Sequence, residues 1–278
     1  MPVTVEALGP THVEPLRALL SRDAAPNMYL LGLVEEFGVV AAPDRVPFAF
    51  QGRFLNGELT AVAFVGGSGA LVVPSASAPN HVADIAKALV STVKLKSCIG
   101  EKPLVDVLVQ HLGGKVRLSK LQTLFSVSAD DLGPFTNPLL RLATEADLPR
   151  LVPLAAACVK ETMERDPLAE DPEGFPARVA QRVKGRRTYV LEEKGRLVFK
   201  IDVGSRSQYG AELEGLYTHP DDRHRGHATL CMGQISRFLM SSLPRLTIRV
   251  DESNSALITV ARKVGYHAGR AQRLVVTE

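Results

Sequence analysis

The segment His219-Pro-Asp-Asp-Arg-His-Arg-Gly-His-Ala228 decides how this chain is read. A stiff, strand-like stretch, residues 213–218, comes just before it, and an amphipathic run, residues 229–243, comes just after. Arg223, Gly226 and Ala228 are therefore spaced R-x-x-G-x-A at a strand-to-helix turn. Two readings stand: an ordinary turn, or a cradle for phosphate. A helix N-terminus has unpaired N–H groups and about half a positive charge. Its amides wrap a pyrophosphate when side chains stay out of the way. Gly226 allows close approach and unusual backbone angles. Ala228 keeps the next turn small, and Arg223 or Arg225 can add a charge-assisted contact. The broader pattern [RQ]-x-x-G-x-[GA] turns up by chance in roughly one chain in four of this length, so its neighbours must carry the argument.

The chain has 278 residues, enough for one large domain or two of ordinary size. A hydrophobic fraction of 45% and a charged fraction of 23% fit a globular protein with a sizeable core. The net charge is only +3, with acids and bases interspersed, which argues against a nucleic-acid partner. The opening MPVTVEALGP lacks the regions of a signal peptide, and no apolar run approaches a membrane span. Cys98, Cys158 and Cys231 are far apart and odd in number, and read as buried thiols. These features predict a cytoplasmic protein with no membrane partner.

A weak internal repeat organises the chain. Thr11 to Arg17 and Thr144 to Arg150 share T-x-x-[ED]-x-x-R. Each follows a short strand candidate, residues 3–8 and 139–143, and each reads as a capping box opening a helix. Hairpins are predicted around Asn56-Gly57 and Lys194-Gly195. A third strand then follows in each half, at residues 70–73 and 211–218. Next come a helix (81–93; 229–243), a strand (95–99; 246–250) and a helix (103–112; 254–264). Both last helices end at a glycine placed as a cap, Gly113 and Gly265. Both halves finish on strands. The boundary falls in ADDLGPFTNP, residues 129–138, giving domains 1–135 and 136–278.

The second half resembles the GNAT superfamily of N-acetyltransferases. Three stretches match in order: the strand Glu212-Leu-Glu-Gly-Leu-Tyr-Thr218, the loop Arg223 to Ala228, and Asn254-x-x-Leu257-Ile258-x-x-x-x-Lys263-Val264-Gly265-Tyr266. With SCIG around Cys98 and RLVFK ending at Lys200, the whole chain is similar to a bacterial two-part subgroup. There a degenerate GNAT-like domain precedes an active-looking one. The implied fold is α/β, with two tandem GNAT-like domains, each a mostly antiparallel mixed sheet flanked by helices. The implied co-substrate is acetyl-CoA, held at Arg223, Arg225, Gly226, His227, Ala228 and Thr229, with Asn254 and Tyr266 completing the site. Its pantetheine arm would pair, strand-like, with Leu216, Tyr217 and Thr218. No metal is implied. The acceptor would be an amine, a protein lysine or a small molecule, and a homodimer is left open.

Acetyl transfer needs a neutral amine. For a lysine-like acceptor of pKa near 10.4, neutralisation costs roughly 4.6 kcal/mol at pH 7. A positioned base is therefore useful. Glu212 and Glu214 alternate with Leu213 and Gly215, so both acids share one strand face. The resemblance favours Glu212 as base, with Glu214 as fallback. Ala261 stands where many relatives carry a tyrosine as general acid. Protonation of the thiolate would fall to water, Tyr217 or Ser253. Ala261 also keeps a second reading open, a non-catalytic acyl-CoA-binding regulatory or protein-interaction module. His219, His224 and His227 read as a solvated loop, Cys231 as core, and Arg182 to Arg187 as a helix end capped by Gly185. The first half has Pro74-Ser-Ala-Ser-Ala-Pro-Asn-His81 where the loop would be. Pro79 removes a donor there, so one CoA per chain is predicted, bound by the second half, with the first as a scaffold that is a folded domain in its own right.

Overall fold

Asn56-Gly57 and Lys194-Gly195 each adopt left-handed backbone in both residues, with φ of 53° and 83°, and 51° and 76°. That is what a two-residue turn between right-twisted strands requires, and each pair closes a hairpin. The computed structural model describes residues 3–43 and 46–278. The first half runs β1 (Val3–Ala7), α1 (Val13–Ser21), α2 (Met28–Phe37), β2 (Phe48–Leu55), β3 (Glu58–Gly66) and β4 (Leu71–Ala76). It continues through α3 (Pro79–Leu89), β5 (Ser97–Glu101), α4 (Lys102–Leu112) and β6 (Val116–Val127). The second half repeats this plan with β7 (Arg141–Leu142), α5 (Leu148–Met163), α6 (Pro167–Glu170), α7 (Gly174–Lys184), β8 (Thr188–Glu193) and β9 (Arg196–Ser207). It closes with β10 (Gly210–Thr218), α8 (His227–Met240), β11 (Leu246–Asp251), α9 (Ser255–Val264) and β12 (His267–Thr277).

The strands form one mixed sheet of twelve, in the order β1-β2-β3-β4-β5-β12-β6-β11-β10-β9-β8-β7. Among the described residues only β4 with β5 and β10 with β11 are parallel. The two last strands are exchanged. β12 pairs with β5, through Val275 opposite Cys98, and β6 pairs with β11, through Phe125 opposite Ile248. Neither half closes its sheet with its own strands alone. Alternate residues of each strand feed two layers. Leu59, Val62 and Phe64 pack beneath α1 and α2, while Ala61, Ala63 and Val65 face α3 and α4. In the second half Phe199, Ile201 and Leu213 pack with α8 and α9, and Val190, Leu197 and Tyr217 with α5 and α7. Among the described residues no helix is long and apolar enough to cross a membrane.

The two predicted capping boxes part company. Thr144 and Asp147 form theirs, the Asp147 carboxylate accepting from the Thr144 N–H at 2.8 Å. Thr11 and Glu14 do not. Pro10 starts a 3₁₀ turn, which moves the cap two residues back from Thr11 to Gly9, whose N–H donates to His12 Nδ1 at 2.9 Å. Glu14 instead pairs with Arg17. Gly185 ends α7 as predicted, and Gly113 and Gly265 end α4 and α9.

Helix α2 crosses from the first half onto the second. Gly32 makes this possible, because a Cβ there would lie 2.6 Å from that of Ser205 on β9. Ser205 donates to the Met28 carbonyl at 3.2 Å, and Arg187 pairs with Glu36.

Candidate active site

Strands β10 and β11 run together only from Ala211 and Leu246 to Leu213 and Ile248, then part. They part where β10 bulges: its register against β9 shifts between Glu214 and Tyr217, and Gly215 turns left-handed with φ 58°. Tyr217 and Thr218 keep their β9 partners, Lys200 and Phe199, while Leu216 lies in the bulge, and among the described residues none of the three pairs with β11. The Thr218 carbonyl there accepts from Arg223 Nε at 3.1 Å.

The loop at the end of β10 rises to meet this gap. Gly226 is left-handed, φ 84° and ψ −4°, and caps α8. His224 is left-handed as well, with φ 62°. Among the described residues the backbone N–H groups of 224–229 find no acceptor, including those of His227, Ala228 and Thr229 in the first turn of α8. A Cβ at Gly226 would meet nothing within 4 Å. Consecutive free amides around an open space at a helix N-terminus are what an anionic phosphate needs. The residues therefore fit a pyrophosphate. Both arginines already have partners. Arg223 lies over the Tyr217 ring and pairs with Glu161 at 2.7 Å, and Arg225 pairs with Asp222 at 3.0 Å. His227 is buried, and its Nε2 has no partner among the described residues.

At the matching place in the first half β4 and β5 part as well, but among the described residues the start of α3 has no left-handed glycine cap and fewer free amides. Pro79 is the first residue of α3, the His81 N–H returns to the Ala78 carbonyl, and the Ser77 N–H donates to Thr60. Pairing of β4 to β5 is confined to Val72 opposite Cys98, beside Pro74, which cannot donate.

Glu212 and Glu214 project to the face that α2 covers. Glu212 is 5% exposed, and its carboxylate pairs with Arg249, itself bonded to Gln272 and to the Pro26 carbonyl. Its second oxygen is enclosed without a partner among the described residues. Burial, outweighing the Arg249 charge, pushes the Glu212 carboxyl above the usual carboxylate range. Glu214 is more open, with a side chain 35% exposed that pairs with Arg182 at 2.5 Å. Asp202 binds Thr188 and Lys200, and Lys200 also donates to the Gly215 carbonyl at 2.7 Å, pinning the bulge. From the first half, Tyr29 on α2 reaches the same group. Its hydroxyl is pushed up to about 12, by burial first and then by the charges of Glu214 and Glu212.

Tyr29, Arg249 and the Lys200–Asp202 pair were not picked out from sequence as parts of a site. Arg249 had a signal, since Thr247, Arg249 and Asp251 alternate with apolar residues in β11. Tyr29 had none, because it lies on a helix of the other half. Asn254 stands at the N-cap of α9, its side chain accepting from the Leu257 N–H at 2.9 Å. Tyr266 does not reach the loop. It is 2% exposed in the core, hydroxyl against Ser236 at 2.8 Å, and burial raises its pKa. Ala261 is fully buried, Ser253 is tied to Asp251, and Cys231 is core, its thiol pushed up to about 12 by burial. Among the described residues no group of His, Cys, Asp and Glu could hold a metal ion.

No protein-family model and no curated protein sequence matches the chain. Solved structures do. A GNAT-family acetyltransferase from Colwellia psychrerythraea superposes with a TM-score of 0.61 at 12% identity, covering 99% of this chain and 100% of that one. A Drosophila protein gives 0.68 at 14% identity, covering 98% of each chain. A tandem GNAT protein from the clavulanic acid biosynthesis pathway gives 0.60 at 11% identity, covering 100% of this chain and 98% of that one. Over its whole length, then, with parted strands and a glycine-capped loop in the second half, the chain has the tandem GNAT fold.

Proposed function

We propose that the protein is an acyl-CoA-dependent N-acetyltransferase whose second half binds acetyl-CoA and passes the acetyl group directly to an amine. The observation that carries this is the gap between β10 and β11 opening beside the unpaired amides of 224–229. Those amides, with Arg223 and Arg225 once exchanged from their acids, would hold the pyrophosphate. The open edge of Leu216 to Thr218 would hold the pantetheine arm. When bound, acetyl-CoA supplies an activated acyl carbon with a thiolate leaving group. The acceptor nitrogen forms the C–N bond as the C–S bond breaks.

Glu214 is the acid an incoming ammonium can reach. Glu212, behind it on the same face, has the raised carboxyl suited to take the proton. Arg249 holds Glu212 in place, and Tyr29 closes the face from the first half. The nitrogen sheds its second proton to water as the amide forms, and the thiolate takes one back from water, since Ala261 offers none. The first half has fewer free amides at the matching place and acts as a scaffold, which gives one CoA per chain.

A second reading, an acyl-CoA-binding module without turnover, draws on Ala261 and on the arginine partners of both acids. Two measurements on the intact chain separate the readings: calorimetric titration with CoA, and thiol release from acetyl-CoA over a panel of amines. Transfer predicts a stoichiometry of one and turnover on some amine. Binding with no turnover on any amine selects the module, and absence of CoA binding removes both.

A further inference from the structure

The charges around the Tyr29 hydroxyl cancel. Tyr29 lies within the fields of Glu214, Glu212, Arg182 and Arg249. Glu212 pairs with Arg249, Glu214 with Arg182 at 2.5 Å, and Asp202 with Lys200 at 2.7 Å. Three carboxylates therefore face three cations. Four of the six side chains, those of Glu212, Arg249, Asp202 and Lys200, are closed off, each 8% exposed or less. Arg182 and Glu214 form the open pair, with side chains 45% and 35% exposed. A Cβ at Gly204 on β9 would lie 2.7 Å from the Glu214 carboxyl carbon, so this glycine leaves the room that the carboxylate occupies. Besides Glu214, Arg182 meets only Asp202, at 3.4 Å, and that carboxylate already accepts from Lys200 and Thr188. The second oxygen of Glu212, two residues along the same strand face, has no partner among the described residues.

This balance discriminates among amines. A bare ammonium that reaches Glu214 takes the partner of Arg182. The guanidinium is then left with a more distant, shared carboxylate, and a partly enclosed charge without its counter-charge is unfavourable. An amine that also carries a carboxylate avoids this. Its ammonium takes Glu214, its carboxylate takes the Arg182 fork in a planar two-point contact, and the cluster stays neutral. We infer that the acceptor is an α-amino acid, its carboxylate held by Arg182 and its amine turned toward Glu214 and Glu212. This rests on the acetyl-transfer reading for the meaning of "acceptor". In an α-amino acid the two charged groups sit on one carbon, which suits two side chains that touch in the free protein. A lysine within a protein and a simple monoamine both lack the carboxylate.

The probes are the common α-amino acids, each beside its own amide, and a lysine peptide, all assayed with the intact protein and acetyl-CoA. The amide keeps the side chain and the amine but not the carboxylate. Its amine is also the less basic, so a preference for the amino acid runs against the supply of neutral amine. At least one amino acid should exceed its amide and the lysine peptide by about tenfold or more in kcat/KM, the scale of a lost hydrogen bond to a charged group. Arg182→Gln should narrow that preference at least tenfold, chiefly through KM. Arg182→Lys, which keeps the charge and loses the fork, should recover part of it. CoA affinity, read by calorimetry, should hold in both variants and shows that each is folded. An amide or a lysine peptide acetylated as well as every amino acid, or a preference that survives Arg182→Gln, would overturn the inference and leave the transfer reading standing. If nothing is acetylated, the transfer reading falls, and titration of the amino acids into the CoA-loaded protein decides the rest. Binding that Arg182→Gln abolishes upholds the site for a zwitterion; no binding, or binding indifferent to Arg182, removes it.

Discussion

Gly226 is the residue on which the cradle depends, and two quantities separate its possible roles. With φ at 84° it holds a left-handed conformation that costs a residue with a Cβ about 1–2 kcal/mol. A Cβ built there touches nothing within 4 Å, so no clash adds to that cost in the free protein. Gly226→Ala should therefore lower unfolding stability by about 1–2 kcal/mol and no more. Gly226→Asn should lower it less, because asparagine tolerates left-handed backbone. Gly226→Val should lower it most, its branched side chain being stiff. Affinity for CoA should follow a different order. The space beside Gly226 is open in the free protein but would lie against the pyrophosphate in the complex. Alanine should weaken binding at least tenfold, about 1.4 kcal/mol, and the larger asparagine as much or more, although asparagine is the milder change for folding. Urea unfolding and calorimetric titration with CoA measure the two orders separately. If affinity merely tracks stability, or stays at the wild-type value in the asparagine variant, no phosphate approaches this glycine and the cradle is only a turn.

Three further outcomes are expected. Glu212→Gln should keep CoA binding and lower turnover by roughly 10²–10⁴, less at high pH where more acceptor is already neutral. It should also lose stability, since Arg249 is left buried without a counter-charge; a larger kinetic loss in Glu214→Gln would transfer the base to that residue. The Asp147 carboxyl is held well below its usual range, first by Arg141 and then by the Thr144 amide, against the opposing effect of burial. It therefore stabilises the fold above the unfolded carboxyl value, about 3.9, and that contribution fades as pH falls toward the depressed value. Asp147→Asn should lower the urea midpoint at pH 7, with the gap to wild type narrowing below about pH 4; a constant gap would show that the charge is not the cause. Segments 1–135 and 136–278 expressed apart should form no folded monomers, because each lacks the exchanged strand that closes its sheet, whereas refolded together they should form a 1:1 complex that binds CoA. A cooperatively folding monomer of 136–278 in light scattering and denaturation would contradict this.

Local chemistry was legible in the sequence wherever neighbours along the chain decide conformation. Asn56-Gly57 and Lys194-Gly195 specify their turns because left-handed backbone favours few residue types. Thr144 and Asp147 specify a cap because both partners lie within one turn. Pro10 defeated the same reading at Thr11, since a proline preset for the first helical position moved the start by a residue or two. The repeat of elements, the loop at Gly226 and the shared face of Glu212 and Glu214 follow from periods of two and 3.6 residues, which are local as well. What surrounds those acids is not local. The exchange of β6 and β12 depends on strand edges more than a hundred residues apart finding each other, and no period records it. That exchange, with Gly32 letting α2 settle on Ser205, brings Tyr29 over Glu214 and encloses Glu212 beside Arg249. Residue type and spacing marked out Glu212, Glu214 and the loop at Gly226 as the candidate groups. Only the packing of one half on the other decided which acid is open and which is buried with a raised pKa.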